Sequence, residues 1–470
     1  MTENKTAFSK IKNHATASIW CIGANAVSRG AAFFFTPIFT RLLTPEEYGI
    51  YPLYVSLMGI FTVVTTFEIS GNAIYKGLAK FEDDENGFLC SAVASQILMS
   101  ILSLILYGFF REKLNSLTAL TAPLSVLLVL QIFMNSVEGI HFAKKRYRGQ
   151  HRGVSVINGL SGILSPPLAL VFINLGLGGS SRILAPFIIS AVITLPILID
   201  IIKKGRKFFT KKYWSFLFRF SIPMIPHYLS LAIIAQSDKI IIARLVGEEA
   251  VGKYSAAYSS GFVISLITAG IGTVLTPWII KRLKENKHGA ISEITEGATM
   301  AVSLCTLAFL CIAPEVFRIV ANNEYYEALP VVYLVSLSVI LSFVNGITTA
   351  YIVHFEKTHL ITKNSLITAA VSIILGIAFV KTFGYIGGAY ITLLSYALLL
   401  ILNHLTLRKL LKNEEKKKWR VFKTPLAALI AATVIFFLKD SLTARIIMLT
   451  ALILITVDMA ARYKQIIYSL

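Results

Sequence analysis

The chain has 470 residues, 55% of them apolar and only 15% charged, with a mean hydropathy of +0.70. A soluble chain carries about 25% charge, because its surface must be covered. This composition therefore excludes a soluble enzyme, a fibrous protein and a disordered one, and most of the chain must be solvated by lipid. The net charge is nevertheless +20, from 45 basic and 25 acidic residues.

Apolar runs of about 18 residues or more read as membrane spans, since about 20 helical residues cross a hydrocarbon core of ~30 Å. Fourteen such runs follow one another along the chain. They lie near 16–40, 48–71, 88–110, 117–140, 154–175, 182–202, 217–243, 253–279, 293–313, 328–352, 361–382, 385–407, 422–438 and 443–461. They show no alternation of period two, so helices and not barrel strands are expected. The first 15 residues are polar and basic. The run after them is too long for a signal-peptide core and lacks a small-residue cleavage site, so it reads as an uncleaved first span.

Lysine and arginine alternate between high and low density in successive gaps. The clusters 144–152, 203–219, 281–287 and 408–423, with smaller groups, place 33 of the 45 basic residues on one side of the membrane and 11 on the other. This is the positive-inside pattern, and it predicts that both termini are cytoplasmic. The basic loops then read as topology signals in contact with anionic lipid, not as nucleic-acid sites.

The chain also repeats. RLLTPEEYGIY (41–51) and RLVGEEAVGKY (244–254) coincide, at an offset of 203, at Arg41/Arg244, Leu42/Leu245, Glu46/Glu249, Gly49/Gly252 and Tyr51/Tyr254. GLGG (176–179) is echoed by GYIGG (384–388). Six spans separate the copies, an even number, so the repeat is parallel, about an axis along the membrane normal. The expected organisation is an all-α polytopic membrane protein. It has an N-terminal lobe of spans 1–6 (1–202), a basic cytoplasmic linker (203–216), and a second lobe of spans 7–12 (217–407). The basic loop and spans 13–14 (408–470) are added to these. The two six-helix lobes are expected to face each other across a central cavity.

No Gly-x4-Gly-Lys-Ser/Thr loop is present, so nucleotide hydrolysis by that route is excluded. The four cysteines and eight histidines show no metal-ligand spacing, so no metal and no cofactor is expected. Polar and ionisable residues inside spans are the informative ones, because each is costly in lipid unless it meets a partner or water. Span 1 carries Arg29 with Asn25 one turn earlier. Span 2 carries Glu68 and Asn72, and span 4 carries Glu138 near its inner end. Span 7 carries His227, Gln236 and Asp238, and span 10 carries Asn345. Tyr254 and Tyr258 share a face of span 8. Arg29 and Glu68 read either as functional groups or as a pair that neutralises itself. Asp238 reads equally as a pair with Lys239 or as a substrate or ion site. His227 reads equally as a cavity residue or as an interhelical histidine. Pro223 and Pro226 should kink span 7. Gly270, Gly272 and Pro277 mark a bend in span 8 that would serve a gate.

Three runs carry a family resemblance: PIFTRLLTPEEYGIY (37–51), QSDKIIIARLVGEEAVGKYSAAY (236–258) and FGYIGGAYITLLSY (383–396). They resemble the Wzx-type polysaccharide or O-antigen flippases of the multidrug/oligosaccharidyl-lipid/polysaccharide exporter superfamily. The resemblance spans the first twelve runs. It implies a bacterial plasma-membrane protein that moves an undecaprenyl-pyrophosphate-linked oligosaccharide from the inner to the outer leaflet by alternating access. It implies a cavity lined by spans 1, 2, 7 and 8, with Arg29 at the position that meets pyrophosphate or acidic sugar. One deep arginine is a sparse lining for a highly anionic glycan. A guanidinium can fork onto phosphate oxygens, while tyrosines and amides suit sugars. Without a nucleotide site, direction must come from a gradient of substrate, of H+ or Na+, or from membrane potential. Glu68 and Asp238 are the candidates for coupling. A polysaccharide polymerase is an open question as partner.

A drug or cation antiporter of the same superfamily predicts twelve spans and an acid-lined pocket instead. A membrane-embedded glycan polymerase or acyltransferase predicts a large outer loop or a His/Asp/Arg cluster there, and none is visible. A structural scaffold would leave the buried charges unexplained.

Overall fold

The computed structural model describes residues 23, 27–28, 30–285, 288–411 and 423–469. Every regular element among the described residues is helical. Eleven helical segments are long and apolar enough to cross a membrane, and expected spans 2–12 fall on them in order. The helix over 30–42 (α1) belongs to span 1. The helices Lys423–Phe437 and Leu442–Ser469 carry spans 13 and 14, each with a shorter apolar stretch. The all-α polytopic fold follows from long apolar runs without period-two alternation: in lipid every backbone polar group must be satisfied, by helices or by closed barrels, and the pattern leaves helices.

The contacts divide the chain into two compact units, residues 1–252 and 253–470. The first contains α1, then α2 (Pro45–Thr66), a π-helical turn (Ile69–Ala73) and α3 (Ile74–Lys80). It continues with α4 (Glu85–Thr118), α5 (Ala122–Tyr147), α6 (His151–Asn174) and α7 (Ser181–Gly205). The short α8 (Lys211–Ser221) and α9 (Ile225–Leu245) complete it, with the first turn of α10 (Glu248–Phe262). α2 starts on a capping box, Thr44 accepting from the Glu47 amide while Glu47 accepts from the Thr44 amide, which satisfies two donors that a helix start leaves open. Asp84 caps α4 by accepting from the Gly87 amide at 3.2 Å. The same carboxylate accepts from Lys207 Nζ at 2.6 Å and Tyr213 Oη at 2.5 Å, so it also ties α8 to the start of α4.

The α8 stripe of Tyr213, Leu217 and Ser221 is buried, a spacing of four that faces one way. It closes over a core of Ile74, Leu78, Phe81, Phe88 and Val137. Phe81 meets Phe88, Tyr213 and Phe216 with ring centroids 4.9–5.4 Å apart, tilted or edge-on, the separations that aromatic quadrupoles favour.

The second unit holds the rest of α10, then α11 (Ser265–Lys284), α12 (His288–Val320), α13 (Leu329–His354), α14 (Thr358–Phe383) and α15 (Ile386–Leu410). Lys423–Phe437 is α16 and Leu442–Ser469 is α17. α13 is its axis: it is buried along most of its length and packs on α11, α12, α15 and α16. Gly261 lies close on it, with a Cβ there only 2.7 Å from the Val332 carbonyl oxygen, and Ser336 Oγ donates to Gly261 O at 3.2 Å. α17 docks on α12 through Arg445, which donates to both Glu315 carboxylate oxygens at 2.6 Å and to Cys311 O at 2.8 Å. Planar guanidinium and carboxylate match in such a fork.

Candidate functional site

Span 2 is not one helix. α2 ends at Thr66, and Phe67 and Glu68 follow with φ of 51° and 52°. This left-handed backbone costs a residue with a side chain about 1–3 kcal/mol, so its neighbours must hold it. Gln96 of α4, 1% exposed, donates to the freed Thr66 carbonyl at 3.4 Å. Ser136 of α5 donates to Gln96 Oε1 at 2.9 Å. Gly139 lets α5 approach Ser70, whose Cβ is 2.9 Å from where a Cβ would stand. The Phe67 ring meets Phe218 of α8 edge-on at 5.7 Å. The break therefore places Glu68, half-buried, at an interruption and not on a helix face. The backbone of Asn72 lies in the π-helical turn, and its side chain is outside the described set.

Span 7 changes from α-helix to a 3-10 turn where its prolines stand. A 3-10 turn, Ile222–Met224, contains Pro223 and separates α8 from α9, and Pro226 sits in the first turn of α9. A proline is tolerated there because its missing N–H has no partner to lose. His227 is half-buried, its Nδ1 has no hydrogen-bond partner, and its ring lies 5.5 Å from that of Tyr228. Further along, α9 packs against α2. Ser56 Oγ donates to Gln236 Oε1 at 3.0 Å, and a Cβ at Gly59 would be 3.3 Å from Gln236 Cγ. Gln236 is thus seated in the α2–α9 seam. Asp238 and Lys239 are both buried, with 3.7 Å between carboxylate and ammonium. That geometry fits the ion-pair reading of Asp238.

The tyrosine pair of span 8 shares one face, as its spacing requires: the ring centroids of Tyr254 and Tyr258 are 5.7 Å apart. Tyr254 is 0% exposed, however, so its ring is not presented to a ligand here. Tyr258 is half-buried and stacks on Phe262 at 5.5 Å. The interruption of span 8 also lies elsewhere than expected. It falls at Val263–Ile264, between α10 and α11, while α11 runs as helix through Gly270, Gly272 and Pro277. Neither glycine has an atom within 4 Å of a Cβ position, so no close approach requires glycine there.

Asn345 is part of an amide ladder in the second unit. Asn403 Nδ2 donates to Asn345 Oδ1 at 2.8 Å. Asn364 Nδ2 donates to Asn403 Oδ1 at 2.8 Å and to Thr406 Oγ1 at 2.9 Å. The ladder joins α13, α14 and α15, the usual use of amides between helices in lipid. Arg29 and Asn25 lie outside the described residues.

The structure also explains two of the repeated motifs. A Cβ at Gly49 would overlap the Glu248 carbonyl oxygen, and one at Gly252 would overlap that of Pro45. At the offset of 203 the equivalents of Pro45 and Gly49 are positions 248 and 252. The contact is therefore self-complementary, the equivalent points of the two copies meeting each other as in an isologous interface. Gly179 in turn presses on the Glu47 backbone. Arg182 sits over the rings of Phe39, Tyr48 and Tyr51 at 4.2–4.9 Å and donates to Tyr48 O at 3.3 Å. The repeat was the one sequence signal for this junction, and Arg182 carried none.

A family model described as "Polysaccharide biosynthesis protein" matches residues 15–283. The probable low-salt glycan biosynthesis flippase Agl15 of Haloferax volcanii is 23% identical over 396 residues, covering 83% of this chain and 82% of that protein. The succinoglycan biosynthesis transport protein ExoT of Rhizobium meliloti is 22% identical over 331 residues, 68% of this chain and 65% of that protein. Among solved structures, the inward closed conformation of the lipid II flippase MurJ superposes with a TM-score of 0.75 at 15% identity. The match covers 96% of this chain and all of that one, and it shows a shared fold.

Proposed function

Since the chain belongs to the polysaccharide biosynthesis protein family, we propose that it is a flippase of glycan biosynthesis. In this reading it moves an undecaprenyl-pyrophosphate-linked oligosaccharide from the cytoplasmic to the outer leaflet by alternating access, for a surface polysaccharide such as O-antigen or capsule. The observation that carries the reading is the family match. The similarity to Agl15 over four-fifths of both chains supports it. No covalent step is required, because the protein only lowers the barrier to carrying a polar head through lipid.

The residues divide by role in this account. Arg29 meets the pyrophosphate. Glu68, at the break in span 2, is the candidate for coupling to H+ or Na+. Gln236, in the seam beside α2, and Tyr258 offer the amide and the aromatic face that sugars use. Asp238 stays with Lys239 as a structural pair. In this reading the protein sits in the bacterial plasma membrane with both termini cytoplasmic, an orientation that the distribution of cations supports.

The test is genetic and chemical. A strain lacking the gene should accumulate lipid-linked repeat units in the cytoplasmic leaflet, and normal surface polysaccharide in that strain would contradict the reading. Arg29→Ala should insert normally and restore little export, whereas full export would make Arg29 structural. Glu68→Gln should change the pH or sodium dependence of flipping, and an unchanged profile would remove Glu68 from coupling.

A further inference from the structure

A cavity of about 210 Å³ lies within the first unit, between α2, α5, α6 and α7. At about 30 Å³ per water, it holds on the order of seven water volumes, the size class of one sugar ring and not of a bare ion. Its polar groups come from facing helix turns. Tyr51 and Tyr54 stand three apart on α2, and Gln131, Asn135 and Glu138 stand four and three apart on α5. Such spacing puts each set on one helix face.

Glu138 is held in place from α7. Its Oε1 accepts from Ser190 Oγ at 2.6 Å and from Thr194 Oγ1 at 2.8 Å, and its second oxygen has no partner among the described residues. Gln131 Nε2 donates to Asn135 Oδ1 at 2.9 Å, which sets the orientation of both amides. Tyr54 is 3% exposed, and its hydroxyl is buried without a hydrogen-bond partner. An orphaned hydroxyl of this kind costs about 1–3 kcal/mol, which a hydrogen-bonding occupant would offset. Among the described residues, no lysine, arginine or histidine lines the cavity. A phosphate finds no cation among these lining residues, and an acidic sugar would face the Glu138 carboxylate. Among the described residues no cluster of three or more His, Cys, Asp or Glu side chains could hold a metal. The cavity offers a fixed carboxylate acceptor, two amides, two tyrosines and the hydroxyls of Ser161 and Ser190 on otherwise apolar walls, the composition of a small-ligand site.

We infer that this cavity is a subsite for one pyranose ring without negative charge, neutral or amino-bearing, with Glu138 accepting from its hydroxyls or ammonium. The inference rests on the flippase reading, and it narrows the glycan. One ring of the transported repeat unit is neutral or cationic, and the subsite rejects uronic acids.

Saturation-transfer NMR on the full chain in nanodiscs tests it with three probes: methyl glucopyranoside, glucosamine and glucuronate. The first two should bind saturably and glucuronate should not. Glu138→Gln should weaken glucosamine binding about tenfold or more, the scale expected for losing a charged acceptor. Ser161→Leu, which fills the cavity from α6 and leaves its other polar groups in place, should abolish binding of both sugars without lowering the melting temperature. It also keeps the test decisive should Glu138→Gln not fold. Absence of saturable transfer from every probe, equal binding by wild type and Ser161→Leu, or glucuronate binding as tightly as glucosamine would each overturn the inference. A sodium-dependent rise in melting temperature that Glu138→Gln abolishes, with no sugar signal, would assign the cavity to a cation and overturn it as well. Binding is read on the isolated protein, so its failure leaves flipping untouched. Loss of flipping with sugar binding retained would instead sink the flippase reading alone.

Discussion

Gly49 and Gly252 carry the tightest backbone contact in the first unit, and they carry it symmetrically. A methyl group at either position meets a carbonyl oxygen that cannot move without shifting a helix start. Gly252→Ala should therefore destabilise the protein by about 1–3 kcal/mol, as overpacking does, and should lower its melting temperature in detergent. Gly270→Ala is the control. With open space around its Cβ position, it should leave the melting temperature unchanged or raise it, since alanine is the better helix former by about 1 kcal/mol. Equal effects of the two substitutions would contradict the packing argument. Beside this contact, burial first and the Glu46 charge second push the Glu248 carboxyl up from its ordinary value. A carboxyl whose pKa is raised by folding contributes stability that is complete below its unfolded value and is lost as pH rises through the folded one. The crossing should be firmer in acid. Glu248→Gln should melt above wild type at neutral pH and converge with it as the pH falls below the carboxylate range, and a constant difference across that range would contradict this account.

Helix breaks show what a sequence reports about elements and what it does not. The 3-10 interruption at Pro223 and Pro226 was legible because proline imposes its effect locally. The break at Phe67–Glu68 was not, because neither residue marks an interruption. Gln96, Ser136 and Phe218 impose it from other helices. At Gly270 and Gly272 the helix α11 continues, since glycine permits an interruption and does not require one. Tyr254 and Tyr258 do share one face, but spacing cannot say which way a face turns, and Tyr254 is buried. Asn345 was read as a cavity residue because an amide in lipid needs a partner, and it has found one in Asn403. If Gln96 holds the break, Gln96→Leu leaves the Thr66 carbonyl and the Ser136 hydroxyl without their partner, at a cost of about 1–3 kcal/mol. Hydrogen exchange should rise over 66–74 and little elsewhere. Unchanged exchange there would mean that packing alone keeps the break. In the second unit, Glu315→Ala strips the nearly buried Arg445 of its carboxylate. It should raise exchange in α17 selectively, and an α17 as protected as in wild type would contradict the anchoring role of that pair.

At the scale of the molecule, hydropathy and charge did most of the work. The span order and the all-α fold were legible because lipid allows few backbone solutions, and the family was legible in three short runs. The +20 charge first looks like a statement about ligands. Read with the expected spans it becomes a statement about topology, because they place most of the cations on one side of the membrane. The expected central cavity and the cavity around Glu138 differ in kind. One was read from isolated ionisable residues, of which Arg29 lies outside the described set. The other, around Glu138, needed three dimensions, because its residues come from four helices and share no sequence motif. The most direct test of the central claim is a flipping assay in vesicles that contain only the purified chain and a fluorescent polyprenyl-pyrophosphate glycan, read by a quencher confined to one side. The account predicts that the probe becomes accessible far faster than in protein-free vesicles. Translocation no faster than in protein-free vesicles, with the protein folded and correctly inserted, would contradict it.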